Sequence, residues 1–376
     1  MKTENWDVII LGAGTAGLAL ARFLRSSYRV LILERRAAFH AEQRIGESLP
    51  GSAGVLLWNL GLYERFLEGP HREKGSAVSI WDQEFPVWRD ALIDPAGPGW
   101  VLDRRSFDHL LREGAIESGA VIKEGHRQIE IDQPLSCEGW SVHLSEDDIA
   151  YQAPVLIDAT GRSATVSRRL GLERQIEDNL LCIYSFLTCR PEDEDLTLRT
   201  CADEHGWWYT VQVPHGKRVL AYHIDANDTL WKKLRGPEDF IAHARQHPFI
   251  AEAIQGATPS KINLHPAGTT ILDIANLADA GKGFLAIGDA LMAFDPISSQ
   301  GMFHALATAA SAANAIMAGF PGNPAAMNAF QSEMLNVSKR YLTHLQDTYA
   351  GPVRFAHYPF WSKRRRVIDI LEKVAE

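Results

Sequence analysis

A glycine-patterned turn near the start of the chain constrains the fold more than any other feature. Residues 8–11 (VIIL) form a short apolar run typical of a buried parallel strand, and the sequence GAGTAG of 12–17 follows directly. The helical pattern LALARFLR and a second apolar strand, 29–33, come next, and Glu34 ends that strand. Strand, glycine turn, helix, strand and acid occur in the order that a dinucleotide-binding GxGxxG unit requires.

Each glycine of this turn has a separate physical task. Gly12 permits the tight turn, Gly14 lets the backbone approach a pyrophosphate, and Gly17 lets the helix pack closely on the sheet. The positive end of the helix faces the phosphates, and Glu34 can accept hydrogen bonds from a ribose diol. Because the motif opens the chain, we expect FAD rather than NAD. The predicted cofactor contacts here are Gly12, Gly14, Thr15, Ala16, Gly17, Glu34 and Arg35.

Composition and charge exclude several other classes of protein. The 376 residues allow one large or two smaller domains, and a formal net charge of −9 argues against a broad surface for nucleic acid or anionic lipid. No apolar run approaches the ~20 residues of a membrane span. The basic run KRRR at 363–366 is interpreted as a solvated tail or helix face. Four cysteines without CxxC spacing suit reduced thiols in a cytosolic protein: Cys137, Cys182, Cys189 and Cys201.

A second glycine corner lies far along the chain. Residues 285–287 (LAI) again read as a short buried strand, with Gly288 and Asp289 at its carboxyl end, where open α/β sheets bind ligands. Asp289 is suited to accept a hydrogen bond from the hydroxylated linker of FAD. Residues 296–301 turn the chain, and the Ala-rich pattern of 302–317 predicts a helix whose N-terminus faces the flavin ring. An ordinary strand–loop–helix connection is the alternative.

Together with DATGR at 158–162 and GDALMAFDPISSQG at 288–301, these motifs resemble the superfamily of FAD-dependent aromatic hydroxylases and flavin-dependent halogenases. The resemblance covers most of the chain up to about residue 320. It implies an α/β fold in which both ends of the chain build one Rossmann-like FAD-binding domain. An inserted, mostly antiparallel β-sheet (an α+β insertion) then covers the substrate.

Three further stretches narrow the resemblance. Residues 44–62 (RIGESLPGSAGVLLWNLGL) are similar to the GE…P segment of halogenase-like members. Residues 97–111 and 206–214 resemble flavoprotein monooxygenases that hydroxylate a tryptophan side chain of a partner protein during tryptophylquinone cofactor maturation. The cofactor contacts that the resemblance implies are Arg44, Gly46, Glu47, Ser48, Arg104, Gly161, Gly288, Asp289, Pro296, Gly301 and Met302.

The same resemblance allows a choice between halogenation and oxygenation. Tryptophan halogenases carry WxWxIP, whereas residues 207–214 (WWYTVQVP) keep the aromatics and the proline at another spacing. Ser298 stands where those halogenases carry a glutamate, and 299–301 read SQG instead of STG. Lys74 falls near the position of the halogenase lysine, but its setting, PHREKGSAV, indicates a solvated turn residue. These departures favour oxygenation.

Oxygenation makes defined physical demands on the site. A flavin C4a-hydroperoxide survives only where water is excluded, and its electrophilic oxygen needs an electron-rich ring within reach. Ser298, Ser299, Gln300 and Lys74 are the candidate catalytic residues. Aromatic side chains on a sheet over the flavin suit a flat ring, although packing of the second domain is an equal alternative for each. The candidate substrate contacts are Trp81, Trp207, Trp208 and Tyr209, of which Trp208 lies on the opposite face of its strand.

The predicted function is hydroxylation of an aromatic ring, and we expect that ring to be a tryptophan side chain in a partner protein. The alternatives are a halogenase, a hydroxylase of a free small aromatic molecule or a reductase of isoprenoid double bonds on the same fold, and an FAD-containing escort for a precursor polypeptide. Thr160 stands where single-component hydroxylases carry the aspartate used with NAD(P)H, which favours reduction by free reduced flavin or by an external flavin reductase. His243 and His247 lack a third ligand, so no metal site is predicted.

The predicted domain organisation follows from these assignments. The FAD-binding domain is discontinuous and uses 1–72, 100–175 and 270–350. The substrate domain uses 73–99 and 176–269. Residues 351–376 form a C-terminal helical tail that packs on or caps the site.

Overall fold

The computed structural model describes residues 2–37, 44–126, 129–132, 139–145 and 148–365. Cys137, the last residue of the KRRR run and the final part of the predicted tail lie outside the described residues. The strands, in chain order, are β1 (Lys2–Asn5), β2 (Val8–Leu11), β3 (Val30–Glu34), β4 (Ser48–Leu49), β5 (Arg72–Glu73), β6 (Ala77–Ile80), β7 (Val87–Arg89), β8 (Trp100–Val101), β9 (Val121–Glu124), β10 (Ile129–Asp132), β11 (Trp140–Leu144), β12 (Ile149–Ala153), β13 (Val155–Asp158), β14 (Arg174–Glu177), β15 (Leu180–Thr188), β16 (Leu198–Ala202), β17 (Gly206–Val213), β18 (Lys217–Asp225), β19 (Thr258–Pro259), β20 (Asn263–Pro266), β21 (Thr270–Leu272), β22 (Phe284–Ala286) and β23 (Met292–Ala293).

The helices lie between these strands and at the end of the chain. They are α1 (Thr15–Leu24), α2 (Ala53–Leu60), α3 (Tyr63–Leu67), α4 (Arg104–Glu117), α5 (Thr165–Arg169), α6 (Leu230–Lys233), α7 (Pro237–Ala244), α8 (Pro248–Ala253), α9 (Gly301–Met317) and α10 (Pro324–Ala350). Residues 359–365 are also helical. Among the described residues, no helix is both long enough and apolar enough to span a membrane.

A five-stranded parallel sheet carries the dinucleotide turn. Its order is β22–β13–β2–β3–β9, and every neighbouring pair is parallel. Strands β2 and β22 are buried along their whole length, as expected for a sheet that is covered on both faces. Helix α1 packs against α4 and α9. The predicted α/β architecture is confirmed.

A larger sheet stands beside the parallel one. Its order is β19–β15–β18–β17–β16–β6–β7, and β20 also pairs with β15. The long strands β15 to β18 are antiparallel, whereas β16 and β6 run parallel. One face packs against α7 and α8, and the other buries an aromatic cluster together with the end of α10. The predicted antiparallel sheet is confirmed, while the predicted domain bounds remain a prediction.

Asp158, at the carboxyl end of β13, fixes the turn that follows the strand. Its carboxylate is fully buried and accepts hydrogen bonds from the backbone and hydroxyl of Thr160, at 2.9 and 2.6 Å. It also accepts from the backbone and hydroxyl of Ser167, at 2.8 and 2.7 Å. These four bonds hold Gly161, whose φ is +70°, and Arg162 at the edge of the sheet.

We expect Asp158→Ala to lower the free energy of unfolding by about 3 kcal/mol or more, because four donors would lose their acceptor in a buried turn. Asp158→Asn keeps one carbonyl oxygen and is expected to cost less. Urea unfolding of the cofactor-free variants measures both values. A loss below about 1 kcal/mol for the alanine variant would contradict this role of the carboxylate.

Candidate active site

The glycine turn combines two crowded positions with one open position. A Cβ on Gly12, whose φ is +115°, would lie 2.3 Å from the carbonyl oxygen of Ala159, and a Cβ on Gly17 would lie 2.1 Å from that of Gly12. No atom lies within 4 Å of the corresponding point at Gly14. Gly12 and Gly17 therefore allow β2, β13 and α1 to pack, whereas Gly14 leaves room for a diphosphate.

Glu34 stands at the end of β3, next to the glycine turn. Its Oε2 accepts a hydrogen bond of 2.8 Å from the backbone N–H of Ala13, and its Oε1 accepts one of 2.9 Å from that of Arg36. The carboxylate is only partly buried. The carboxylate is thus held beside the glycine turn, where the sequence pattern predicts the ribose of the nucleotide.

A groove of about 380 Å³ runs along the carboxyl ends of β2, β3 and β13. Gly161 and Arg35 line it together with the glycine turn. The remaining lining includes the predicted contacts Thr15, Arg44 and Arg104. The residues present therefore fit the nucleotide part of FAD: open backbone amides, the Glu34 carboxylate and several arginines around one groove.

The second glycine corner meets the first in space. Gly288 has a φ of +57°, and a Cβ there would lie 2.8 Å from the Cβ of Ala16. Asp289 follows with its side chain about one-third exposed, and burial raises the pKa of this carboxyl despite Arg162, whose Nε lies 3.6 Å away. Sequence reasoning missed Arg162 as a site residue, although it follows Gly161 directly in the DATGR stretch.

Hydrogen bonds within the flavin loop, 296–301, use several of the predicted catalytic groups. The Ser298 hydroxyl donates to the Asp295 carbonyl at 2.8 Å and accepts from the Gln300 backbone at 3.3 Å. Ser299 adopts a φ of +51° at the end of the Pro296 turn. Ser298 and Gln300 thus stabilise the loop itself in this structure.

The end of the flavin loop is more open. No atom lies within 4 Å of a Cβ built on Gly301, where α9 begins. The Thr15 hydroxyl lies 3.9 Å from the sulfur of Met302, so the first residues of α1 and α9 are neighbours. The N-termini of both helices consequently face the same side of the parallel sheet.

Asp295 connects the flavin loop to two distant parts of the chain. It is 2% exposed, and its Oδ1 accepts a hydrogen bond of 2.9 Å from the Ile297 backbone. Its Oδ2 accepts from the Tyr349 hydroxyl at 2.8 Å, and that hydroxyl accepts from the Trp207 indole at 3.2 Å. Sequence reasoning missed Asp295, although an aspartate immediately before a proline is a capping signal. Tyr349 gave no such signal, because only the fold brings α10 here.

Glu47 connects the segment around Gly46 to strand β17 of the large sheet. It is 3% exposed, accepts from the Tyr209 hydroxyl at 2.5 Å and from the Gly46 backbone at 3.0 Å. Burial, together with the charge of Glu47, raises the pKa of Tyr209. Ser48 follows in β4, and its hydroxyl is buried with no hydrogen-bond partner among the described residues.

Lys74 is partly buried rather than solvated, so its interpretation as a solvated turn residue is corrected. Burial lowers the pKa of its ammonium group to about 8, while Glu47 and Asp94 act in the opposite direction. Its backbone N–H donates to the carbonyl of Gly99 at 3.1 Å, which holds it beside β8. The local composition of PHREKGSAV gave no signal of this burial.

Arg44 and Arg104 line both the nucleotide groove and a second cavity of about 710 Å³. Arg104 Nη1 donates to the carbonyls of Ile45 and Gly46, at 3.1 and 2.9 Å, and Nη2 lies 3.2 Å from Asp108. Burial lowers the pKa of Arg44 even though Asp108 opposes the shift. The segment around Gly46, whose φ is +99°, is thus held by Arg104.

The structure separates the four predicted substrate contacts. Trp207 is buried and stacks on His223 with ring centroids 3.6 Å apart, and Trp81 packs on its edge and donates to the Thr348 carbonyl at 2.8 Å. Trp208 is fully buried on the opposite face and stacks on Tyr222. Of the four, Tyr209 is the one that contacts Glu47. Trp208 packs the sheet against its helices and is not on the flavin side.

Comparisons with known proteins agree with this architecture. The sequence profile of the FAD binding domain family matches residues 5–344. The putative FAD-dependent oxidoreductase LodB of Marinomonas mediterranea is 26% identical over 369 residues, which are 96% of this chain and 97% of that protein.

Solved structures share the fold over nearly the whole chain. The flavin-dependent halogenase CmlS has a TM-score of 0.80 at 23% identity, and the match covers 99% of this chain and 70% of that one. QhpG, a peptidyl tryptophan dihydroxylase essential for tryptophylquinone cofactor biogenesis, has a TM-score of 0.73 at 20% identity, covering 96% and 79%. At these identities the likeness shows the fold alone.

The two kinds of glycine position give a paired test of the groove. Gly14→Ala should leave the stability of the cofactor-free protein within about 0.5 kcal/mol, since its φ is −83° and its surroundings are empty, yet weaken FAD binding at least about tenfold. Gly12→Ala should destabilise even the cofactor-free protein, because its Cβ meets backbone. Urea unfolding and fluorescence titration with FAD measure the two effects. Unchanged FAD affinity in Gly14→Ala would place the diphosphate elsewhere.

Asp295 should make stability depend on pH in a defined direction. Burial raises its pKa from 3.8 to about 6, so the fold gains stability from the protonated form, and this gain is lost as pH rises through 6. The unfolding free energy of the wild type relative to Asp295→Asn should therefore fall by about 3 kcal/mol between about pH 4 and pH 6.5 and stay level above. Urea unfolding across this range measures it, with the partly exposed Asp273→Asn as control. A pH-independent difference would contradict the raised pKa.

The profile match, the two glycine corners and the groove beside the glycine turn identify the cofactor of this protein as FAD. They also agree with the resemblance on which the sequence-based assignment rested. The chain belongs to the FAD binding domain family and is an FAD-dependent oxidoreductase of the superfamily that contains the flavin-dependent monooxygenases and halogenases.

Proposed function

We propose that this oxidoreductase is a monooxygenase that adds oxygen to an electron-rich aromatic ring, and that the ring is a tryptophan side chain of a partner polypeptide during quinone cofactor maturation. One observation carries the proposal: an open cleft leads from solvent to Glu47. Its volume is about 710 Å³, and it shares Arg44 and Arg104 with the nucleotide groove.

The walls of the cleft suit an aromatic ring that is attached to a larger chain. Glu47, Phe186 and Val213 form a buried floor, whereas Arg105 and His215 are exposed at the rim. A ring on a polypeptide loop can enter such a cleft without the partner chain having to unfold. The volume of about 710 Å³ lies within the range of small-molecule sites, so it is the open form of the cleft, and not its size, that favours a peptide-borne ring.

Bound FAD, when reduced, would activate dioxygen, and the residues of the chain would position the substrate ring and shield the reaction from water. Ile45, Ile297 and Tyr209 border the buried aromatic cluster on the flavin side of the large sheet and exclude water from it. The first backbone N–H groups of α9, which begins at the open position of Gly301, offer hydrogen-bond donors to the negative charge that would develop on the flavin ring. Glu47 orients the Tyr209 hydroxyl toward the same space.

The electron source is proposed to be an external flavin reductase. Thr160 occupies the position of the aspartate that single-component hydroxylases use, and its hydroxyl donates to Asp158 and accepts from the backbone of Thr165 at 2.8 Å. This side chain is thus engaged in holding its own turn. The fold shared with QhpG, a peptidyl tryptophan dihydroxylase, is compatible with a peptide-borne substrate.

Halogenation is the second candidate, and the burial of Lys74 favours it. An amine whose pKa is about 8 is partly neutral near neutral pH and can react with hypohalous acid. The halogenase CmlS has the same fold. Ser298 and Gln300 argue against halogenation, because they stand where tryptophan halogenases carry a glutamate and the threonine of STG. In this chain the Gln300 backbone N–H donates to the Ser298 hydroxyl, so the two residues hold the flavin loop.

Product mass decides between these candidates. The protein loaded with FAD is supplied with a flavin reductase, NADH, oxygen and a tryptophan-containing peptide, with and without chloride or bromide. We expect addition of one or more oxygen atoms in both conditions. Lys74→Met should lower the rate less than about tenfold, as should the exposed control Lys339→Met.

Two outcomes would contradict oxygenation. Exchange of a ring hydrogen for halogen, abolished by Lys74→Met but not by Lys339→Met, would establish the halogenase. If no peptide, indole or phenol is modified in any condition although FAD is bound and reduced, an escort function remains and both enzymatic proposals fail.

A further inference from the structure

An exposed apolar segment lies at the edge of the large sheet. We call residues 82–93 the edge segment; its first nine residues, 82–90, are all exposed. Four large apolar side chains in it are open to solvent, namely Phe85 at 60%, Val87 at 46%, Trp88 at 62% and Ile93 at 72%. Scattered apolar residues are normal on a surface, but such a concentration in one short segment is typical of an interaction site.

The backbone of the edge segment adds a second feature. Strand β7 is the last strand of its sheet and pairs with β6 alone among the described strands. An edge strand presents unpaired N–H and C=O groups, to which an extended peptide can add as a further strand. Main-chain bonds would supply affinity there, and the side chains of Val87 and Trp88 would contact alternate residues of the peptide.

The base of the edge segment is held in place. The Trp81 indole donates to the Thr348 carbonyl at 2.8 Å, and Arg354 Nη1 donates to the carbonyls of Asp82 and Gln83 at 2.9 and 3.1 Å. The C-terminal part of the chain therefore holds residues 81–83, where the edge segment begins. Strand β7 itself is held by its pairing with β6, so a partner strand would meet a strand that is already formed.

Charge selects the kind of partner. Within the edge segment and the residue after it, four carboxylates stand against one arginine: Asp82, Glu84, Asp90 and Asp94 against Arg89. A second copy of this chain would bring like charges together, which is unfavourable within the screening length of about 8 Å at physiological salt. A polypeptide stretch with lysines or arginines between apolar residues complements the surface.

The edge segment is within reach of the active site. Tyr209, Thr200, Ser79 and Val87 lie in one row across β17, β16, β6 and β7. At about 4.8 Å per strand, a strand added to β7 would lie about 19 Å from Tyr209, a distance that about six extended residues cover. A docked partner could therefore bring a ring near Tyr209, whose hydroxyl donates to Glu47 of the cleft, by a short neighbouring stretch of its chain.

We propose that the edge segment is the docking site for an extended, positively charged stretch of the polypeptide that carries the aromatic ring. This inference rests on the proposed function, since it assumes a peptide-borne substrate. It assigns recognition to β7, outside the cleft, and leaves the cleft to position the ring.

The test uses the FAD-loaded full chain and three probes: a capped peptide of alternating lysine and valine with one tryptophan, its counterpart with glutamate for lysine, and free indole. We expect the lysine peptide to bind at least about tenfold more tightly than the glutamate peptide, with an affinity that falls as salt rises. The double variant Phe85→Ser and Trp88→Ser should lose about tenfold in affinity and in kcat/KM for the lysine peptide, with indole turnover unchanged.

Trp58→Ser is the matched control, because Trp58 on α2 is 64% exposed and thus as accessible as Trp88. Equal binding of both peptides, or an equal loss in the control and the double variant, would overturn the docking site while indole turnover persists. Loss of turnover for every probe would instead contradict the proposed function. A wild-type dimer that becomes monomeric in the double variant would show self-association at β7 and would also overturn the proposal.

Discussion

The close approach of two backbone corners, at Gly288 and at the glycine turn before Ala16, is the constraint on which the rest of the site depends. Strands β2, β13 and β22 are adjacent and parallel, so their carboxyl ends open on the same edge of the sheet. Both corners need positive φ values and neither leaves room for a side chain. Ala16 and Gly288, which belong to opposite ends of the chain, are thereby brought into contact at that edge.

A second constraint couples this edge of the parallel sheet to the large sheet. Asp295 holds the flavin loop through Ile297 and is itself held by Tyr349, which in turn accepts from Trp207. A buried carboxylate in this position costs stability unless its donors remain in place. The network thus makes the position of the loop conditional on the docking of α10 against the sheet, so that three segments distant in sequence are positioned together.

The sequence predicted those features that depend on local backbone demands. The turn at 12–17, the carboxylate of Glu34 and the corner at Gly288 all have short-range signatures, and each is found where it was expected. The burial of Lys74 and the role of Tyr349 had no such signature. Both arise from contacts between segments far apart in the chain, and neither the polar setting of a lysine nor a tyrosine in a long helix reports on them.

The aromatic residues show most clearly why a residue type does not define a role. Trp207 and Trp208 are adjacent, yet the alternation of a strand sends one toward Tyr349 and the other toward the helices behind the sheet. Tyr209, which returns to the first face, is the neighbour that reaches Glu47. On a shared fold, the chemistry is therefore decided by individual positions on one face. The partly buried Lys74 favours halogenation, whereas Ser298, at the position of the halogenase glutamate, favours oxygenation. The reaction is therefore identified by its product and not by the fold.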